Sequence, residues 1–118
     1  MNQHAFDFEL GSRERAMTIA REQAFRFRAD FPGWLADNLH VWTRFEAHAS
    51  AIWNAGRRHY SARTIGEVLR HETALKAAND GEWKLNDHRW PDLARLYLAM
   101  YPERTGFFEV REGSRRAA

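Results

Sequence analysis

The densest cationic stretch of the chain is Arg57-Arg58-His59-Tyr60, followed at short intervals by Arg63, Arg70 and His71, with Glu67 as the only carboxylate between residues 57 and 71. Guanidinium groups fork onto phosphate or carboxylate oxygens, and a tyrosine ring beside them offers a base a stacking surface. The pattern predicts an anion-gripping surface. Further on, Lys84 and Asn86 share one side of an extended segment, and Arg89 and Arg95 stand on either side of Pro91. Arg89 and Arg95 have the reach for guanine edges or phosphates, and Asn86 has the donor and acceptor pair that reads adenine. Arg57, Arg58, Arg63, Arg70, Lys84, Arg89 and Arg95 therefore form the predicted nucleic-acid contact set, with DNA ahead of RNA. Each also has a plainer reading. The Arg57–Arg58 pair suits the negative end of a helix dipole, Arg63 and Glu67 have the spacing of an i,i+4 ion pair, Arg95 can make an internal salt bridge, and Asn86 or Asp87 can cap a helix.

Other chemistries find little support. The chain has no cysteine, which removes thiol catalysis, disulfides and cysteine-ligated zinc. His40 and His48 lie more than two helical turns apart, too far to share an ion, and His71-Glu72 lacks the second histidine of the H-E-x-x-H pattern. No glycine-rich phosphate loop and no G-x-S-x-G elbow occurs. The expectation is a non-enzymatic protein without metal or cofactor.

Composition fits this. Of 118 residues, 44% are apolar and 29% charged, as in a globular domain. Eighteen basic against sixteen acidic residues leave +2, and sixteen of the basic residues are arginine. Residues 1–56 carry −1 and residues 57–118 carry +3, a weaker basic footprint than dedicated nucleic-acid binders show. No apolar run approaches membrane-spanning length and no signal-peptide pattern opens the sequence, so a cytoplasmic protein without membrane association is expected. Five Trp, eight Phe and three Tyr are a large aromatic load. Phe25, Phe27, Trp34, Trp83, Trp90 and Phe107 exceed what so small a core holds on predicted inner faces, and aromatics exposed beside arginines are the material of interface hot spots, in a homodimer or with another partner.

The elements that must position these residues follow from periodicity and punctuation. Residues 1–11 read as a lead-in, 12–111 as one globular domain and 112–118 as a frayed tail. Ser12 is placed to cap a helix reaching Arg28, which Asp30-Phe31-Pro32-Gly33 then breaks. Leu35, Leu39, Trp42, Phe45, Ala49, Ile52 and Trp53 form one apolar stripe of a helix over about 34–55, stopped by Gly56 at C′. Ser61 caps a helix over 62–73 with Ile65, Val68 and Leu69 inward. Trp83-Lys84-Leu85 alternates as a strand does, and Pro91 suits the first turn of a helix burying Leu93, Leu96, Tyr97 and Met100. On that helix Asp92, Arg95 and Ala99 are assigned outward, as on a recognition helix. Pro102 closes it, and Phe107 to Arg111 follows as a second strand. The predicted fold is mostly helical α+β, a helical core with a two-stranded β ribbon. Its ingredients are those of a winged helix or helix-turn-helix, although a helix separates the two strands.

Tyr60-Ser61-Ala62 with Glu67-Val68-Leu69-Arg70, Trp83-Lys84-Leu85-Asn86-Asp87, Ala94-Arg95-Leu96-Tyr97, and Pro102 with Gly106-Phe107-Phe108-Glu109-Val110-Arg111 together resemble a group of small phage- and prophage-encoded proteins. That group carries K-I-N-N, then A-R, then F-F-E-x-R. The resemblance spans roughly residues 33–111, and Asp87 stands where the group has its second Asn. It implies a phage or prophage origin. From the arginine set and the aromatic load, two functions are expected: a phage nucleic-acid-binding regulatory protein, or a phage protein-binding module that docks on a host defence or transcription complex.

Overall fold

The computed structural model describes residues 3–80 and 89–110, and every element among them is helical: α1 (Gln3–Glu22), α2 (Phe31–Asp37), α3 (Leu39–Asn54), α4 (Ala62–Asp80) and α5 (Arg89–Met100), with short 3-10 turns at Ala24–Arg26 and Pro102–Arg104. The predicted β ribbon, and with it the winged-helix reading, is overturned: no strand occurs among the described residues. Trp83-Lys84-Leu85, Asn86 and Asp87 lie outside those residues, as does the predicted tail. The second predicted strand fails for a visible reason. A strand would turn Phe107 and Phe108 to opposite faces, yet both are buried, at 1% and 2% exposure. The segment is a plug rather than a strand. Gly106, at φ 91°, turns the chain where a side chain would strain it. The Phe107 N–H donates to the Arg104 carbonyl and the Phe107 carbonyl accepts from Tyr60 N–H (2.9 Å), so the two rings are driven inward as a pair.

The end of α3 forms as its sequence dictates. Gly56 takes φ 103°, its N–H donates to the Trp53 carbonyl and the Arg57 N–H to the Ile52 carbonyl, which is the Schellman arrangement. The single helix expected over 34–55 is two helices. Pro32 opens α2 in its first turn instead of only breaking what precedes it. Asn38 then ends α2, with its side-chain amide donating to the Trp34 carbonyl (2.8 Å), and starts α3. At the N-terminus α1 begins at Gln3, so Asp7 to Gly11 belong to the helix and Ser12 sits within it rather than capping it. Ser61 does cap α4, through Oγ to the Thr64 N–H (3.2 Å).

The central element is α5. Trp90, Asp92, Leu93, Ala94, Leu96, Tyr97 and Met100 are all buried, and the helix packs against α1, α3 and α4. Around it the aromatic core closes, with Trp42 on Phe45 and Tyr97, and Phe108 edge-on to Tyr97. The approach of α4 to α5 is set at Gly66, where a Cβ would lie 2.4 Å from two ring carbons of Trp90. Gly66→Ala is expected to destabilise the chain by about 1–3 kcal/mol through overpacking, despite the roughly 1 kcal/mol that alanine adds to helix propensity. Urea unfolding measures this, and an unchanged or raised midpoint would contradict the tight packing.

Candidate binding groove

The six predicted contact residues that fall among the described residues do not form one surface. Arg89 is buried, and its guanidinium forks onto both carboxylate oxygens of Asp30 (3.1 and 2.9 Å) with the Trp34 ring beneath it. Arg95 is only 10% exposed at its side chain and donates to Asp92 Oδ1 (3.2 Å). Asp92, assigned outward on the predicted recognition helix, is fully buried. The face that α5 leaves accessible thus carries Arg95, Leu98 and Ala99 without Asp92. Arg58 lies flat on Trp53 (3.9 Å) and donates to the Trp53 carbonyl, which closes the C-terminus of α3. Glu67 pairs with Arg70 and not with Arg63. Lys84 lies outside the described residues. Arg57 and Arg63 remain exposed and make no ion pair with a described residue; Arg57 rests near the Tyr60 ring.

The cations that do converge line an open groove of about 1380 Å³. One wall is the turn after α1, with Gln23 and Arg26. The second is the α3–α4 connection and first turn of α4, with His59, Tyr60 and Arg63. The floor is α5, with Ala94, Arg95, Leu98 and Ala99, and the far edge is the plug through Glu109 and Val110. The groove exists because the plug is pinned. Tyr60 and His59 hold the carbonyls of Phe107 and Gly106, the latter at 3.0 Å from His59 Nδ1. Arg63 and Arg95 are the two members of the predicted set that share it. Arg26 carries no periodic signal of its own in the sequence; it closes the 3-10 turn that follows α1.

The expected surplus of exposed aromatics is smaller than predicted. Phe27, Trp90 and Phe107 are buried and Trp34 is half-buried, leaving Phe25, at 63% exposure, as the exposed one, beside Arg26. Trp83 is outside the described residues.

Away from the groove, one buried polar network went unread in the sequence. Glu46 accepts from Ser12 Oγ–H (2.5 Å) and from the Tyr101 hydroxyl (2.6 Å), and Trp42 Nε1–H donates to Ser12 Oγ (3.2 Å). Burial and the Glu46 carboxylate push the Tyr101 hydroxyl well above the ordinary tyrosine range. The signal was present, since Glu46 falls on the apolar stripe between Trp42 and Ala49, where a carboxylate needs donors from neighbouring helices.

Titration at Asp92 has a definite sign. Burial raises its carboxyl above the ordinary range, against the pull of the Arg28 N–H and Arg95, and its Oδ2 has no hydrogen-bond partner among the described residues. The folded chain therefore holds this proton more tightly than the unfolded chain. The stabilisation is complete below the unfolded value of 3.8 and is lost as pH rises through the folded one. Asp92→Asn should gain stability relative to the wild type as pH increases from 4 to 7, measured by urea midpoints; a pH-independent difference between the two would contradict this.

Among the described residues no group of three or more His, Asp or Glu is arranged to hold a metal ion, and no helix is long and apolar enough to cross a membrane. Comparison with protein-family models, with curated proteins and with solved structures finds no match.

Proposed function

We propose that the chain is a non-catalytic protein-binding module and that the groove between the first turn of α4, α5 and the C-terminal plug receives a segment of its partner. The observation that carries this reading is the division of labour among the arginines. Arg89, Arg95 and Arg70 have carboxylate partners and Arg58 a helix end, so the described members of the set lack the shared basic face that a nucleic-acid backbone requires. The groove, in contrast, combines an apolar floor with a few polar groups at its rim, the usual make-up of a ligand cleft. The resemblance to phage-encoded proteins supports a host complex as the source of the partner.

Two measurements test the reading. The first is fluorescence anisotropy against duplex DNA across a salt series. The reading predicts weak retention that the combined replacement of Arg57, Arg58 and Arg63 by Ala leaves nearly unchanged. Tight binding that falls steeply with salt and vanishes in that variant would transfer the function to nucleic acid. The second is affinity capture from nuclease-treated bacterial lysate. A stoichiometric protein retained by the wild type should be lost with Ala99→Trp, which places an indole on the groove floor at a half-buried position. Retention by Ala99→Trp would exclude the groove.

A further inference from the structure

The segment that joins α1 to α2, residues 23–30, is one wall of the groove through Gln23 and Arg26. It is thinly anchored. Ala24, Phe25, Arg28, Ala29 and Asp30 are exposed, and Phe27, packed on Phe31 at 5.0 Å between ring centroids, is its one buried side chain. Its backbone-to-backbone hydrogen bonds stay within the segment or its flanking helices. Among the described residues, its hydrogen bonds to α5 run through two carboxylates. Asp92 Oδ1 accepts from the Arg28 N–H (3.4 Å), and both oxygens of Asp30 accept from Arg89. Few buried apolar contacts are the mark of a segment that opens locally.

Asp30 is also the N-cap residue of α2, yet its side chain makes no cap hydrogen bond. A capping aspartate takes an extended backbone and accepts from the N–H of the second or third helical residue. The second here is Pro32, which has no N–H, and the third is Gly33. Asp30 instead sits at φ −88° and ψ 1°, with its carboxylate turned to Arg89, 59 residues away. The hydrogen bonds from Arg89 hold that carboxyl below its ordinary range, so it is ionised at neutral pH. One carboxylate thus has two sets of partners, reached from different backbone conformations: the guanidinium on α5 and the N–H of Gly33.

We propose that Asp30 is a two-position latch on the groove wall. Closed, its fork on Arg89 holds residues 23–30 against α5. Released, the carboxylate turns back to the Gly33 N–H and caps α2, and the wall carrying Gln23 and Arg26 swings off α5 and widens the groove. The new cap offsets part of the lost fork, which keeps the open form within reach as a minor state. The latch is a property of the chain alone and holds or fails whatever the groove receives.

Residue-resolved amide exchange of the full chain, beside Asp30→Asn and Asp30→Ala, tests it. Asparagine caps a helix as well as aspartate does but brings no charge to Arg89, so Asp30→Asn favours the open position; alanine can do neither. The amides of Arg26, Phe27 and Arg28 should exchange about tenfold faster in both variants, the size expected for losing a charge-assisted bond, while those of α3 stay unchanged. The Gly33 amide should slow in Asp30→Asn alone. The wild type in about 1 M NaCl checks the closed position without a substitution, because the Asp30 side chain is 69% exposed and its pairing is screened. Arg26 to Arg28 should quicken there and α3 should not. Equal acceleration in α3, or none at Arg26 to Arg28, would overturn the latch. A Gly33 amide that does not slow in Asp30→Asn would overturn its second position.

Discussion

Phe107→Ala and Phe108→Ala are each expected to cost about 3–5 kcal/mol of stability, the range for truncating a buried aromatic ring, whereas Glu109→Ala should change it by under about 0.5 kcal/mol, as at an ordinary surface position. Both rings are buried. Phe107 stands edge-on to Trp53 at 5.6 Å between centroids, Phe108 packs on Phe45 at 5.5 Å, and the two rings touch each other at 4.7 Å. Because they share one cluster, the double variant should lose less than the sum of the singles. Chemical denaturation of the three single variants decides between plug and strand. In a strand with one wet face, one of the two phenylalanines would behave as Glu109 does, and that outcome would contradict the packing.

Glu46→Ala ranks beside these in expected size, at about 3–4 kcal/mol. It leaves the Ser12 and Tyr101 hydroxyls without their acceptor, at about 1–3 kcal/mol for each buried donor left unpaired, and opens a cavity between α1, α3 and α5. The network is also asymmetric in an informative way. When both ends of a buried hydrogen bond are replaced by apolar groups of similar shape, most of the loss is recovered. Glu46→Leu combined with Tyr101→Phe should therefore be more stable than Glu46→Ala by about 2 kcal/mol. Thermal unfolding of the three chains checks this. Equal melting temperatures for Glu46→Ala and the wild type would show that the carboxylate does not join the helices.

How far these features could be read from residues alone depended on how local their causes are. The Schellman stop at Gly56, the Ser61 cap and the inner face of α5 arise within a few residues of chain, and the sequence carried them. Phe107 to Val110, the described part of the second predicted strand, departs from the expectation because a short apolar run is ambiguous. What makes it a plug is tertiary, namely the hydrogen bond from Tyr60 N–H and the vacancy among Trp53, Phe45 and Tyr97 that two rings fill. Asp30 and Asp92 were invisible as arginine partners for a related reason. Asp30 is 59 residues from Arg89, and the three-residue step from Asp92 to Arg95 fits a surface pair as well as a buried one. The contact set was scattered by those carboxylates. What survives is the composition of the stretch after α3, whose Arg63 and Tyr60 reach the groove, while Arg26 arrives from the 3-10 turn after α1 through the fold alone.

The proposed function requires a partner to enter the groove. Amide hydrogen exchange of the chain alone and with the captured partner protein in excess tests it most directly. Slowed exchange confined to residues 59–63, 98–100 and 105–110, together with Arg26, is the result expected; protection centred on the solvent side of α1, with those segments unchanged, would contradict it.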